Sequence, residues 1–205
     1  MFAIAHGITA ISCLPHNEAL AYPSFKSIYF MKILAICGSL RAASLNAMLV
    51  RAMIRLAPAG MDIQIFTAMA DLPLFNPDLD LQAPASVISF KDQIAAVDAV
   101  LIASPEYAHG ITGVMKNALD WTVSSDVFVN KAVAVVNASP RATHADAALR
   151  EILSVMSARI IEPASVTVPV IGARLDEDGI VAHAEIAKTL QGALAALQQQ
   201  WRLQL

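Results

Sequence analysis

Hydrophobic and polar positions change their period several times along this chain, and each change marks an element. Residues 33 to 37 read Ile-Leu-Ala-Ile-Cys, an unbroken apolar run closed by Gly38. Such a run is what a parallel strand buried on both faces requires. From Ser44 the period becomes three and four, with Leu45, Met48, Leu49, Ala52, Met53 and Leu56 on one stripe and Arg51 and Arg55 on another face. This predicts an amphipathic helix capped by Ser44 and stopped by Pro58 and Gly60. "MDIQIF" then alternates Asp62 and Gln64 with Ile63 and Ile65, the pattern of a half-exposed edge strand.

The same succession repeats to the end of the chain. A proline-punctuated loop, "DLPLFNPDLD", leads to a predicted helix from Ser86 to Val97 and to the strand "DAVLIAS", whose apolar middle makes it central. A further helix follows "PEYAHGITG". "KAVAVVNAS" reads as a buried strand, and "THADAALREILSVMSA" as a helix with Leu149, Leu153 and Met156 aligned. The β-branched "RIIEPASVTVPVIG" is expected to be the last strand, "DEDG" a turn, and the closing segment a helix carrying Ile186, Leu190, Leu194, Leu197 and Trp201 on one side. Five strands alternating with five helices predict an α/β fold: a doubly wound parallel sheet, order 2-1-3-4-5, with helices on both faces. In such a sheet ligands bind beyond the carboxyl ends of the strands where the order reverses. The loops to inspect are therefore those after Cys37, Ser104 and Asn137.

Composition narrows the class. The 205 residues suffice for one domain with one substantial core, and 57% hydrophobic against 15% charged residues argues against disorder. A mean hydropathy of +0.56 is high, yet no uninterrupted apolar stretch reaches the roughly 20 residues that a bilayer-spanning helix needs. The net charge of -3, without a Lys/Arg cluster, offers nothing to nucleic acid. Cys13 and Cys37 form neither a disulfide framework nor a metal-ligand spacing, which makes a reducing cytoplasm the default. Residues 1–30 lack the period of the rest and read as an N-terminal extension, either disordered or a start-site artefact preceding Met31; residues 31–205 form the domain. His6, Cys13 and His16 in that leader are read as solvated, and no metal site is assigned.

Neither a G-x-x-x-x-G-K-[ST] loop nor a G-x-G-x-x-G loop follows any strand, and 8 glycines leave no glycine-based grip for a pyrophosphate. Instead "GSLRAASLN" offers the Ser39 and Ser44 hydroxyls, the Arg41 guanidinium, the Asn46 amide and a helix N-terminus. Those groups suit one phosphate monoester. On the residues alone Ser44 serves equally well as a mere cap and Arg41 as a solvated loop residue. In the second loop Tyr107 is a planar aromatic able to pack along a flat heterocycle, or simply to pack within its loop. Asp120 and Trp121 read as packing or subunit contacts, and His109 as an exposed loop residue.

"MKILAICGSLRAASLN" together with "PEYAHGITGVMKNALDW" resembles the NADPH-dependent FMN reductase family of flavodoxin-like proteins, over Met31 to about Val168. The resemblance implies bound FMN, with Ser39, Arg41, Ser44 and Asn46 on its phosphate and Pro105, Glu106 and Tyr107 against the isoalloxazine ring. It implies NADPH as co-substrate, a small-molecule acceptor such as a quinone, free flavin, chromate or an azo compound, a ping-pong reaction carried by the flavin without a catalytic side chain, and a homodimer or homotetramer. Three departures stand out. Ala108 replaces the usual Asn and leaves only its backbone N–H for the flavin. Thr112 replaces a usual Pro. The third loop, "NASPRATHADA", lacks the usual glycines, so Ser139 is its expected contact and Arg141 a wall of the site. A flavodoxin-like electron carrier and a non-enzymatic flavin-binding scaffold are the competing readings.

Overall fold

The structure is a computed structural model that describes residues 30–204, so the expectation for the leader lies outside the described residues. Its main sheet joins β1 (Met31–Cys37), β2 (Met61–Ile65), β3 (Ala99–Ala103), β6 (Ala132–Val136) and β7 (Arg159–Ile160), all parallel, in the order β2-β1-β3-β6-β7. Between β3 and β6 the chain inserts a small antiparallel hairpin, β4 (Glu106–Tyr107) and β5 (Gly110–Ile111). With that hairpin set aside, the order is the expected 2-1-3-4-5.

The period-2 alternation of β1 divides the core. Ile33, Ala35 and Cys37 pack on one face with α1 (Leu45–Leu56), α6 (Glu177–Ala182) and α7 (Ala184–Arg202). Leu34 and Ile36 pack on the other with α2 (Ala85–Ala95), α3 (Gly113–Asp120) and α4 (Thr143–Val155). Ile186, Leu190, Leu194, Leu197 and Trp201 are all buried, as their spacing requires. β2 is the edge strand, with Asp62 and Gln64 exposed. Among the described residues no helix is long and apolar enough to cross a membrane.

Two expectations need correction. The last strand is broken: β7 pairs with β6 over two residues only, after which Glu162–Ala164 forms a 3-10 turn and Thr167 rejoins the sheet as a single bridge to Asn137. Pro163 explains the break, since it has no N–H to give the ladder and its ring fixes φ near the helical value. "DEDG" is not a turn but a helix start, because the Asp176 carboxylate accepts the Gly179 N–H at 2.8 Å and caps α6. A short helix, α5 (Val170–Ala173), precedes it. Arg51 and Arg55, the polar face of α1, are then seen to pair with Glu177 and Asp178 of α6.

Candidate functional site

A cleft of about 350 Å³ opens beyond the carboxyl ends of β1, β3 and β6. The loop after β1 supplies Ser39, Arg41, Ser44 and Asn46; the loop after β3 supplies Pro105, Glu106 and Tyr107; the loop after β6 supplies Ser139 and Arg141. Of the expected contacts only Ala108 is not on this lining. Asn137 and Ala138, which the sequence did not single out as contacts, are on it.

The first loop leaves β1 through Gly38, whose N–H donates to the Ala103 carbonyl at 2.8 Å. A Cβ at Gly38 would stand 2.3 Å from Ser104 Oγ, so the β1 and β3 loops approach as closely as they do only because this residue has no side chain. Ser44 Oγ accepts the Ala47 N–H at 3.3 Å, so the residue does cap α1 while it lines the cleft. That bond leaves the Leu45 and Asn46 N–H groups of the first helical turn without intrahelical partners. Asn46 is 4% exposed, and its Oδ1 accepts the Ala138 N–H at 2.9 Å. Its oxygen thereby ties the first loop to the third, and its amide nitrogen remains for a ligand.

The second loop is the β4–β5 hairpin. Its two turn residues, Ala108 and His109, have φ of 50° and 59°, the left-handed pair of a type I′ turn. Tyr107 is 56% exposed on the cleft side of this hairpin. The Glu106 carboxylate reaches across to α4, where Oε2 accepts the Ala145 N–H at 2.9 Å, and Oε1 lies 3.2 Å from His109 Nδ1. The Ala145 N–H holds this carboxyl below the usual carboxylate range, with smaller contributions from the neighbouring His144 and His109. The His109 ring meets that of His144 edge to face at 4.6 Å.

Asn137 fastens the second and third loops together. It is 4% exposed; its Nδ2 donates to the Ser104 carbonyl at 2.7 Å and its Oδ1 accepts the Ser139 N–H at 3.0 Å. A polar residue closing the otherwise apolar "AVAVV" strand is the signal that could have found it. Thr112, the second departure, caps α3 by accepting the Met115 N–H at 3.1 Å. Further along α3, Asn117 accepts the Phe75 N–H at 2.8 Å, and the wholly buried Trp121 donates from Nε1 to the Pro73 carbonyl at 2.7 Å. "KNALDW" thus anchors the proline-punctuated loop, which gives Trp121 a packing role within the chain. Cys37 is buried at the end of β1, and burial pushes its thiol up to about 11, which suits packing rather than a redox role.

Comparison with known proteins places the chain in a family. Residues 31–172 match the family described as NADPH-dependent FMN reductase. An NAD(P)H-dependent FMN reductase of Pseudomonas aeruginosa is 40% identical over 112 residues, which are 53% of this chain and 60% of that relative, so the chain spans about three fifths of its length. A 2-hydroxy-1,4-benzoquinone reductase of a Burkholderia species is 32% identical over 78% of this chain and 91% of its own. Among solved structures, a flavoenzyme NAD(P)H:(acceptor) oxidoreductase from Paracoccus denitrificans superposes with a TM-score of 0.70 at 30% identity, covering 84% of this chain and 97% of that one.

Proposed function

The chain belongs to the NADPH-dependent FMN reductase family, and from that premise we propose that it is an FMN-dependent oxidoreductase that passes reducing equivalents from NADPH to a small acceptor such as a quinone. The single observation that carries this reading is the cleft itself: a set of hydrogen-bond donors suited to a phosphate and an exposed aromatic hairpin share one opening at the reversal point of the sheet.

The residues fit the cofactor. Arg41, the Ser39 hydroxyl, the Asn46 amide nitrogen and the free N–H groups at the start of α1 form a donor set without a carboxylate, as a phosphate monoester requires. Tyr107 and the backbone of Glu106, both on the lining, would hold the ring, with a backbone N–H offered where negative charge develops on reduction. When bound, FMN would supply the two-electron redox chemistry between nicotinamide and acceptor. The protein's own part is to bind and orient. Glu106 is ionised at neutral pH and engaged with α4, which leaves it no role as a proton donor. Names of the relatives support quinones as acceptors; chromate and azo compounds need the same open face and two electrons. A homodimer or homotetramer is proposed from the apolar composition and the family.

The test is to load the purified protein with FMN and add NADPH without oxygen. The flavin absorption should bleach and return on addition of a quinone. Bound flavin that NADPH leaves oxidised would identify an electron carrier, and a protein that takes up no flavin would be a scaffold.

A further inference from the structure

The cleft presents guanidiniums in two places, and only Arg41 stands in the loop that holds the serine hydroxyls and the α1 N-terminus. Its lining includes two arginines, Arg41 and Arg141, and one acid, Glu106. Both arginines are exposed, and among the described residues neither is ion-paired. Glu106 keeps its charge, but its two oxygens face the Ala145 N–H and His109 and pair with neither arginine.

The two guanidiniums also stand on different walls. Arg41 follows β1 and Arg141 follows β6, and β3 with its tyrosine hairpin lies between those strands. Two inter-strand steps separate their starting points by roughly 10 Å. On the first wall Arg41 is joined by serine hydroxyls and the α1 N-terminus. On the second, the base of Arg141 is fixed: Pro140 stiffens the chain, the Arg141 N–H donates to Ser139 Oγ at 3.4 Å, and the Ala142 N–H donates to the Ser139 carbonyl at 3.2 Å. Ser139 is in turn held by Asn137. A guanidinium presented on a rigid turn, beside an open cleft and without a carboxylate of its own, is suited to a phosphate on a second ligand.

We propose that Arg141 binds the 2′-phosphate of the dinucleotide donor and thereby selects NADPH over NADH; this rests on the oxidoreductase reading above. The 2′-phosphate is the one anionic group that distinguishes the two donors, and as a monoester it carries the larger charge that a fork of N–H donors favours over a diester.

The test uses the FMN-loaded protein and the oxidised dinucleotides, so that binding is read without turnover. The unmutated protein should bind NADP+ about tenfold or more tightly than NAD+, the range for one hydrogen-bonded charge pair. Arg141→Ala should remove that difference while NAD+ and FMN affinities stay unchanged, and Arg141→Lys should retain part of it. Loss of FMN affinity in Arg141→Ala would assign the residue to the flavin phosphate and overturn the proposal. Equal weakening of NAD+ and NADP+, or no change in either, would overturn it as well. Failure of the unmutated chain to take up FMN would sink the functional reading itself, an outcome visible before any variant is made.

Discussion

Glu106 supplies to Ala145 the helix cap that α4 lacks: Ala142, at the N-cap position, has no side-chain oxygen, and the Glu106 carboxylate accepts the Ala145 N–H from a different loop at 2.9 Å. The cap fastens the tyrosine hairpin to the helix that carries the third loop, so it bears on the shape of the cleft as well as on α4. Glu106→Ala should lower the melting temperature by about 2–4 °C and weaken FMN binding, whereas Glu106→Gln, which keeps an accepting oxygen, should lose less. The sign of the pH dependence follows from the depressed folded-state pKa. The carboxylate's contribution is complete above its ordinary value of 4.5 and is lost as the pH falls through the lower folded value. Melting curves of Glu106→Ala and the unmutated protein should accordingly converge in acid and separate at neutral pH.

Ala108 holds a φ of 50°, where an L side chain without a local hydrogen bond is strained. Asparagine tolerates this region, and a type I′ turn favours it. Ala108→Asn should therefore stabilise the protein by about 0.5–1 kcal/mol, read as a higher urea midpoint at an unchanged m-value. Ala108→Val should do the reverse, since a branched Cβ deepens the same strain.

Much of the fold was legible because it depends on period. β1, β3 and β6 are apolar runs buried on both faces, and α1 and α7 are stripes long enough to be unambiguous. What the sequence hid is of two kinds, local signals outweighed by propensity and partners distant along the chain. The 3-10 turn at Pro163 interrupts a β-branched run that propensity alone reads as strand. Asp176 reads as a turn former until Gly179 is seen to be its capping partner. In the site, Ser39, Arg41, Tyr107 and Ser139 could be placed at one opening from topology. That Glu106 would be turned toward α4, and that Asn46 would give its oxygen to Ala138, are pairings over 39 and 92 residues that no local pattern encodes.

Asn137 joins two loops with one amide, so its loss should be felt twice. Asn137→Ala leaves the Ser104 carbonyl and the Ser139 N–H without their partners in a buried setting, at a cost of about 2–3 kcal/mol. Asn137→Asp keeps the acceptor for Ser139 and places a carboxylate against the Ser104 carbonyl, which should be at least as damaging. Urea unfolding gives the first quantity. Both variants should also bind FMN more weakly than the stability loss alone accounts for, because the second and third loops are no longer in register.

Arg41 provides the sharpest test of the phosphate assignment, because it is exposed and makes no ion pair among the described residues, so its removal should leave the fold intact. Arg41→Ala should weaken FMN binding by about 1–3 kcal/mol with no change in melting temperature of the flavin-free protein. Riboflavin, which lacks the phosphate, separates the contributions of the two ends of the ligand. If Arg41 holds the phosphate, the variant and the unmutated protein bind riboflavin equally and differ only toward FMN. The FMN difference should shrink as salt is raised, since the pair is exposed and its attraction is screened over about 8 Å at physiological ionic strength. Equal loss of riboflavin and FMN would move Arg41 away from the phosphate and toward the ring.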